Sequence, residues 1–168
     1  MTPTDPLQPV DLLPVDLLRP ALSDDLAAIA DLYLRVRAAA VPAMPPIART
    51  REEVHAYVGG WDLSARDVWV AERDGALTAF LVVEGEWLPS LYVAPEAAGQ
   101  GLGSALLDLA KSLRPDSFGL WVFESNSPAR RFYARHGLIE VERTDGSGNE
   151  EGQPDVAMRW PGPGSRLS

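Results

Sequence analysis

The run AAGQGLGS, residues 97–104, is where this chain's backbone is best suited to chemistry. Gly99, Gly101 and Gly103 lack side chains, so consecutive N–H groups can turn toward one anion. The helical pattern that follows sets a helix N-terminus at the same point, worth about half a positive charge. Ala98, Gly99, Gln100, Gly101, Leu102, Gly103 and Ser104 therefore read as a pyrophosphate cradle made of backbone. Two other glycine loops are excluded. A P-loop requires Lys before its hydroxyl residue, and here Gly103 precedes Ser104. A dinucleotide fingerprint starting at Gly101 requires glycine at position 106, which is Leu106. The loop DGSGNE (145–150) resembles the start of a calcium loop, but its sixth place is Glu150 and its twelfth is Val156, so calcium is rejected. No metal is expected.

The elements that must hold this loop follow from periodicity. Residues 9–13 and 14–18 both read PVDLL, so either copy could supply a first strand, placed here at about Val15–Arg19. Ser23 or Asp24 can cap a helix carrying Leu26, Ile29, Ala30, Tyr33, Leu34 and Arg37 at helical spacing. VPAMPPIART (41–50) is loop because of its prolines. Thr50 and Glu53 form a capping box for a short helix ending at Gly59-Gly60. DVWVAER (67–73) and ALTAFLVV (76–83) flank the hairpin turn Asp74-Gly75. Gly85 marks a second turn into EWLPSLYV (86–93), where Pro89 demands a bulge or an unpaired site. A helix with the stripe Leu102, Leu106, Leu109 and Leu113 follows the glycine loop. FGLWVF (118–123) is a buried strand, Ser127-Pro128 starts a helix closed by Gly137, and strands at about 138–143 and 155–160 complete the order. The fold class is α/β: a mixed sheet with helices on its faces.

Taken in order, LYVAP (91–95), AAGQGLG, Asn126, Ala129, Phe132-Tyr133 and His136-Gly137-Leu138 resemble the GCN5-related N-acetyltransferases. LLRPALSDDLAAIADL is similar to that family's opening strand and helix. The resemblance spans about residues 15–160. It implies a single domain whose mostly antiparallel sheet splays at its fourth strand, and acetyl-CoA as co-substrate. It also implies transfer of the acetyl group to a primary amine by direct attack in a ternary complex. Leu91, Tyr92 and Val93 would then lie along the pantetheine arm, and residues 98–104 would hold the pyrophosphate. Asn126 and Ala129 would meet the pantetheine, and Tyr133 would protonate the leaving thiolate. Arg130, Arg131 and Arg135 are candidates for the 3′-phosphate. Two departures stand out. Ala98 replaces the usual Gln or Arg, and Ser90 replaces an acidic residue in the family's general-base position. Other bases are Glu86, which opens the strand toward the thioester, Glu84, His55, Glu150 and Glu151. Loss of the base would favour the alternative, a non-catalytic module that binds or senses acyl-CoA. The acidic loop Asp145, Glu150, Glu151 and Asp155 is expected either to attract a cationic acceptor or to be a solvated face.

Composition bounds these readings. The 168 residues suit one domain, with 46% hydrophobic and 23% charged residues excluding a disordered chain. Fifteen Lys and Arg against 24 Asp and Glu give −9, which disfavours nucleic acid and anionic membranes as partners. With no cysteine, an acyl-cysteine route is closed. The proline-broken start lacks a basic n-region, so no signal peptide is expected and the location expected is cytoplasmic. Residues 1–14 are expected to be a flexible arm, 15–160 the catalytic domain and 161–168 a disordered tail. The family resemblance also allows a homodimer.

Overall fold

The computed structural model describes residues 16–164. Seven strands form one sheet in the order β1-β2-β3-β4-β5-β7-β6. They are β1 (Leu17–Pro20), β2 (Asp67–Arg73), β3 (Ala76–Glu84), β4 (Trp87–Val93), β5 (Phe118–Phe123), β6 (Ile139–Thr144) and β7 (Asp155–Trp160). Four helices are α1 (Leu26–Ala39), α2 (Arg51–Gly59), α3 (Leu102–Leu113) and α4 (Ser127–Arg135). The first strand starts two residues later than the sequence expectation, and Val15 lies outside the described residues, as does the 1–14 arm. Chain description continues through Gly164, with Gly162 packed on the Asp116 carbonyl; residues 165–168 lie outside it. Among the described residues no helix is long and apolar enough to cross a membrane.

Local signals explain most boundaries. The Thr50 hydroxyl accepts from Glu53 N–H while the Glu53 carboxylate accepts from Thr50 N–H, the reciprocal box that starts α2. Neither Ser23 nor Asp24 caps α1. A single 3-10 turn at Ser23–Asp25 precedes it, and the Asp25 carboxylate accepts Leu22 N–H instead. Short turns at Asp74-Gly75 and Gly85-Glu86 close the β2-β3-β4 meander.

Every neighbour pair is antiparallel except β4 and β5, which run parallel and pair only at Trp87 and Gly119. Two facts account for the divergence. Between Val82↔Ser90 and Glu84↔Trp87, Leu88 and Pro89 together oppose Val83, which is a bulge on β4 at a residue without an N–H. Gly119 has no side chain, so the Trp87 ring lies on it (3.0 Å to an ideal Cβ) and stacks with Trp121 at 6.3 Å. The strands meet at that aromatic base and separate beyond it.

Alternation along β4 assigns the two faces. Tyr92 meets Tyr33 of α1 edge-on at 5.2 Å and Phe80 of β3 at 5.4 Å. Val93 points oppositely, toward Gly103 of α3, which itself rests on Phe132 of α4. The buried residues of both faces form one core that includes Ile29, Phe80, Leu81, Leu106, Leu107 and Phe118.

Arg37 is buried at 3% exposure where α1 ends. It donates to the Tyr33 hydroxyl (2.8 Å), Pro45 O (3.0 Å) and Glu151 (3.3 Å), tying α1 to the 41–50 loop and the β6–β7 loop. Arg37→Met should strand the buried Glu151 carboxylate and lower stability by about 3 kcal/mol, since breaking a buried pair from one side is strongly destabilising. A thermal melt should fall by several degrees; an unchanged melting temperature would show the triad to be dispensable.

Candidate active site

Beyond Trp87, the β4 edge that faces β5 has no strand partner. Ala94 N–H donates to Thr78 O of β3 at 2.7 Å, so by two-residue alternation Tyr92 also faces β3. Leu91 and Val93 therefore turn their N–H and C=O groups to the open edge. The cleft between the diverging strands holds about 220 Å³ and is lined by Leu91, Tyr92, Val93, Asn126, Ala129 and Tyr133, among others. Sequence reasoning named all six, and tertiary structure brings them to one cavity.

The glycine loop closes one end of this region. Backbone bonding stops at Ala98, whose N–H donates to Pro95 O (3.3 Å), and resumes at Ala105, whose N–H donates to Gly101 O (3.0 Å). The N–H groups from Gly99 to Ser104 make no backbone bond within the described residues. Gly99 (φ +75°) and Gly101 (φ +84°) adopt left-handed conformations, and an ideal Cβ on either meets nothing within 4 Å. Open space lies over the free donors at the start of α3, and the site fits an anion. The Gln100 side chain is a brace: it accepts from Arg73 (2.7 Å) and donates to Glu96 O (3.3 Å). Arg73, which sequence reasoning missed, is also held by Asp16 at 2.7 Å. Its only sequence signal was its place at the end of a predicted strand.

The Asn126 side chain caps α4 by accepting Ala129 N–H at 3.4 Å, leaving its amide hydrogens to donate. Tyr133 is 9% exposed, and burial pushes its phenol up to about 12. Its hydroxyl has no hydrogen-bond partner among the described residues. Burial also raises Tyr92, with Tyr33 adding to the effect.

Other candidates go elsewhere. Glu86 sits exposed on the β3–β4 turn, where its carbonyl accepts Gly119 N–H. Five residues of strand, about 16 Å, separate it from Leu91, and it lines neither cavity described here. His55 bonds Asp31 at 2.9 Å on the outer side of α1 and α2. Glu150 is held by Arg49 and Glu151 by Arg37. Asp145 and Asp155 accept from Ser147, Thr144 and Asn149. The four carboxylates of the acidic loop are therefore all engaged, two by loop residues and two by arginines of α1 and the 41–50 loop. Arg130 is bonded to Glu140 and Glu124 O, while Arg131 and Arg135 are exposed.

A second cavity of about 260 Å³ lies under α2 and shares Pro89 and Tyr92 with the cleft. Glu84 and Ser90 line it. A wider groove of about 670 Å³ beside the β2–β3 turn shares no residue with either and is walled by closed ion pairs such as Arg19–Asp25. The two spaces meet beside the β4 bulge at Pro89 and Tyr92, where a donor in the cleft and an acceptor in the second cavity can be brought together.

Known proteins match this architecture. The acetyltransferase (GNAT) domain family matches residues 64–138. An uncharacterized N-acetyltransferase of Archaeoglobus fulgidus is 32% identical over 151 residues, covering 79% of this chain and 99% of that one. The peptidyl-lysine N-acetyltransferase YiaC of Escherichia coli is 37% identical over 95 residues, 55% of this chain. There the match spans 62% of the relative, less than two thirds of its length. The structure of yncA from Salmonella typhimurium, solved with its cofactor acetyl-CoA, superposes with a TM-score of 0.67 at 19% identity, covering 92% of this chain and 98% of that one. Likeness at that identity speaks for the fold. The chain belongs to the GNAT acetyltransferase family.

His136 links α4 to the glycine loop: its Nε2 lies 2.9 Å from Ser104 Oγ, and burial, then the nearby Lys111, lower its pKa. An unfolded histidine binds its proton near pH 6.5, the folded one only at lower pH, so stability falls as pH drops below about 6.5. Thermal melts at pH 7.5 and 5.5 should show a larger loss for the wild type than for His136→Gln. Equal losses would remove His136 from the acid response.

Proposed function

We propose that this protein transfers the acetyl group of acetyl-CoA to a primary amine by direct attack in a ternary complex. The observation that carries the proposal is the unpaired β4 edge running from the open cleft to a loop of six free amides. The bound thioester supplies the activated acetyl group. Free N–H groups from Gly99 to Ser104 would hold the pyrophosphate, with the α3 N-terminus adding favourable charge. Leu91 and Val93 would pair with the pantetheine amides as an added strand does, and the Asn126 amide hydrogens would reach the same arm. Val93 N–H would donate to the carbonyl oxygen as negative charge builds there. The acceptor nitrogen forms the new N–C bond, the C–S bond breaks, and the amine proton leaves to solvent. Glu86, far down the strand, is not carried into this scheme.

Tyr133 is the donor toward the leaving sulfur. A phenol near 12 stays neutral at working pH. Full proton transfer to a thiolate near 8.5 is uphill by about 5 kcal/mol, so its contribution is a hydrogen bond that strengthens as sulfur gains charge. Because the hydroxyl has no internal partner to lose, Tyr133→Phe should leave melting temperature and coenzyme affinity nearly unchanged. Turnover, read as thiol release, should fall by about 10²–10³-fold. Normal turnover in that variant would remove Tyr133 from the mechanism, whereas acetyl-CoA binding by the wild type without thiol release from any amine would favour the alternative, a module that binds acyl-CoA without catalysis.

The cradle is tested by a pair of variants. Gly101→Ala and Gly101→Glu bear the same left-handed strain, but only the second adds a carboxylate over the free amides. Calorimetry should show acetyl-CoA binding retained, though weakened, in the first and abolished in the second. Binding by both would relocate the pyrophosphate site.

A further inference from the structure

Arginines in the described residues follow a pattern with one exception that matters for the acceptor cavity. Arg19, Arg37, Arg73, Arg114 and Arg130 are largely withdrawn from solvent, and each donates to a carboxylate. Arg66 is withdrawn too, at 18% exposure, yet makes no hydrogen bond within the described residues. Its Nε is buried without an acceptor, and its contact with Glu84 is 3.7 Å, beyond hydrogen-bond range. Beneath the guanidinium, 5.5 Å away, lies the ring of Trp61, whose indole N–H is likewise buried without an acceptor. Both residues line the cavity under α2. Of the five guanidinium donors, the Arg66 Nε–H is removed from water without an acceptor, which is unfavourable. Arg49, also on this cavity, is bonded directly to Glu150, whereas Arg66 has only the longer 3.7 Å ion pair with Glu84 and is the arginine here without a hydrogen-bonded acceptor.

Between Arg66 and the Pro89–Tyr92 segment shared with the cleft, the walls include apolar side chains such as Val54, Val58 and Val82, alongside the Arg49–Glu150 pair, Glu84 and Ser90. Val82 stands opposite Ser90. Glu84, beside Arg66, is two residues further along β3, about 7 Å. We infer that the acceptor is an ω-amino carboxylate: Arg66 holds its carboxylate, the apolar walls hold its chain, and its amine reaches the β4 bulge. The inference rests on the acetyl-transfer reading. An α-amino acid, whose amine adjoins its carboxylate, is too short to span the two ends.

Three amines of matched chain test this: 6-aminohexanoate, its isomer norleucine, and hexylamine, which lacks the carboxylate. For the wild type, kcat/KM for 6-aminohexanoate should exceed the other two by about 10–100-fold, the range of a hydrogen-bonded charge pair. Arg66→Gln should reduce that advantage to within about threefold, read as the ratio of kcat/KM for 6-aminohexanoate to that for hexylamine in the same variant. Arg66→Lys, which keeps the charge but not the planar fork, should restore part of it. Saturation-transfer NMR on the acetyl-CoA-free protein should detect 6-aminohexanoate with wild type and lose it in Arg66→Gln. Equal use of hexylamine and 6-aminohexanoate by wild type, or a preference that survives Arg66→Gln, would overturn the inference. Arg66-dependent binding without thiol release from any amine would instead sink the transfer reading and leave the carboxylate site standing.

Discussion

The structure depends on β4 and β5 being held together at one end and kept apart at the other. Trp87 lies on the bare backbone of Gly119 and against Trp121, which seals the base of the wedge. Immediately above, the Leu88–Pro89 bulge takes β4 out of register and places a residue with no N–H where a ladder would continue. Each strand is satisfied on its other side, β4 by β3 and β5 by β7 over all six of its residues. The sheet can therefore tolerate an open edge in its middle. That edge supplies directional donors and acceptors at no further conformational expense, because both strands are already rigid.

The same wedge decides what approaches from each face. Tyr92 and Val93, adjacent in sequence, look to opposite sides, one to α1 and α2, the other to α3 and α4. A molecule in the cleft meets backbone along the β4 edge and side chains from both layers. The cavity under α2 reaches the bulge from the Tyr92 side only. Arg37 holds this geometry from within, joining α1 to the two loops that contribute Ile47, Arg49 and Glu150 to the cavity under α2.

Under the proposed acetyl transfer, a protein with a net charge of −9 would have to hold a pyrophosphate against its own field. The groups available for it are amide dipoles rather than exposed lysines. Six N–H groups and the α3 N-terminus make a local positive field, and distant carboxylates are screened by solvent or, as at Asp16, Asp25 and Glu140, paired with arginines. Arg73 is placed beside this loop, but Asp16 and Gln100 hold its charge.

Features set by neighbours in the chain were legible from the residues. The Thr50–Glu53 box, the Pro89 bulge and the left-handed glycine turn before α3 follow from residue types a few positions apart, and the order of elements from hydrophobic periodicity. Asn126 and Tyr133 were reached through their place in a familiar motif. What sequence could not supply was anything whose meaning depends on a distant partner. Glu86 looked well placed because it opens the right strand, but strand length carries it away from Leu91. Glu150 and Glu151 looked like free carboxylates, yet Arg49 and Arg37, about a hundred residues earlier, neutralise them. Arg37 and Arg66 are the same residue type, and only packing makes one a hydrogen-bonded buried brace and leaves the other with a 3.7 Å ion pair and no hydrogen-bonded acceptor. Local backbone preference is written residue by residue, whereas the insertion of β7 between β5 and β6, the wedge, and the pairing of charges arise from which distant surfaces bury each other.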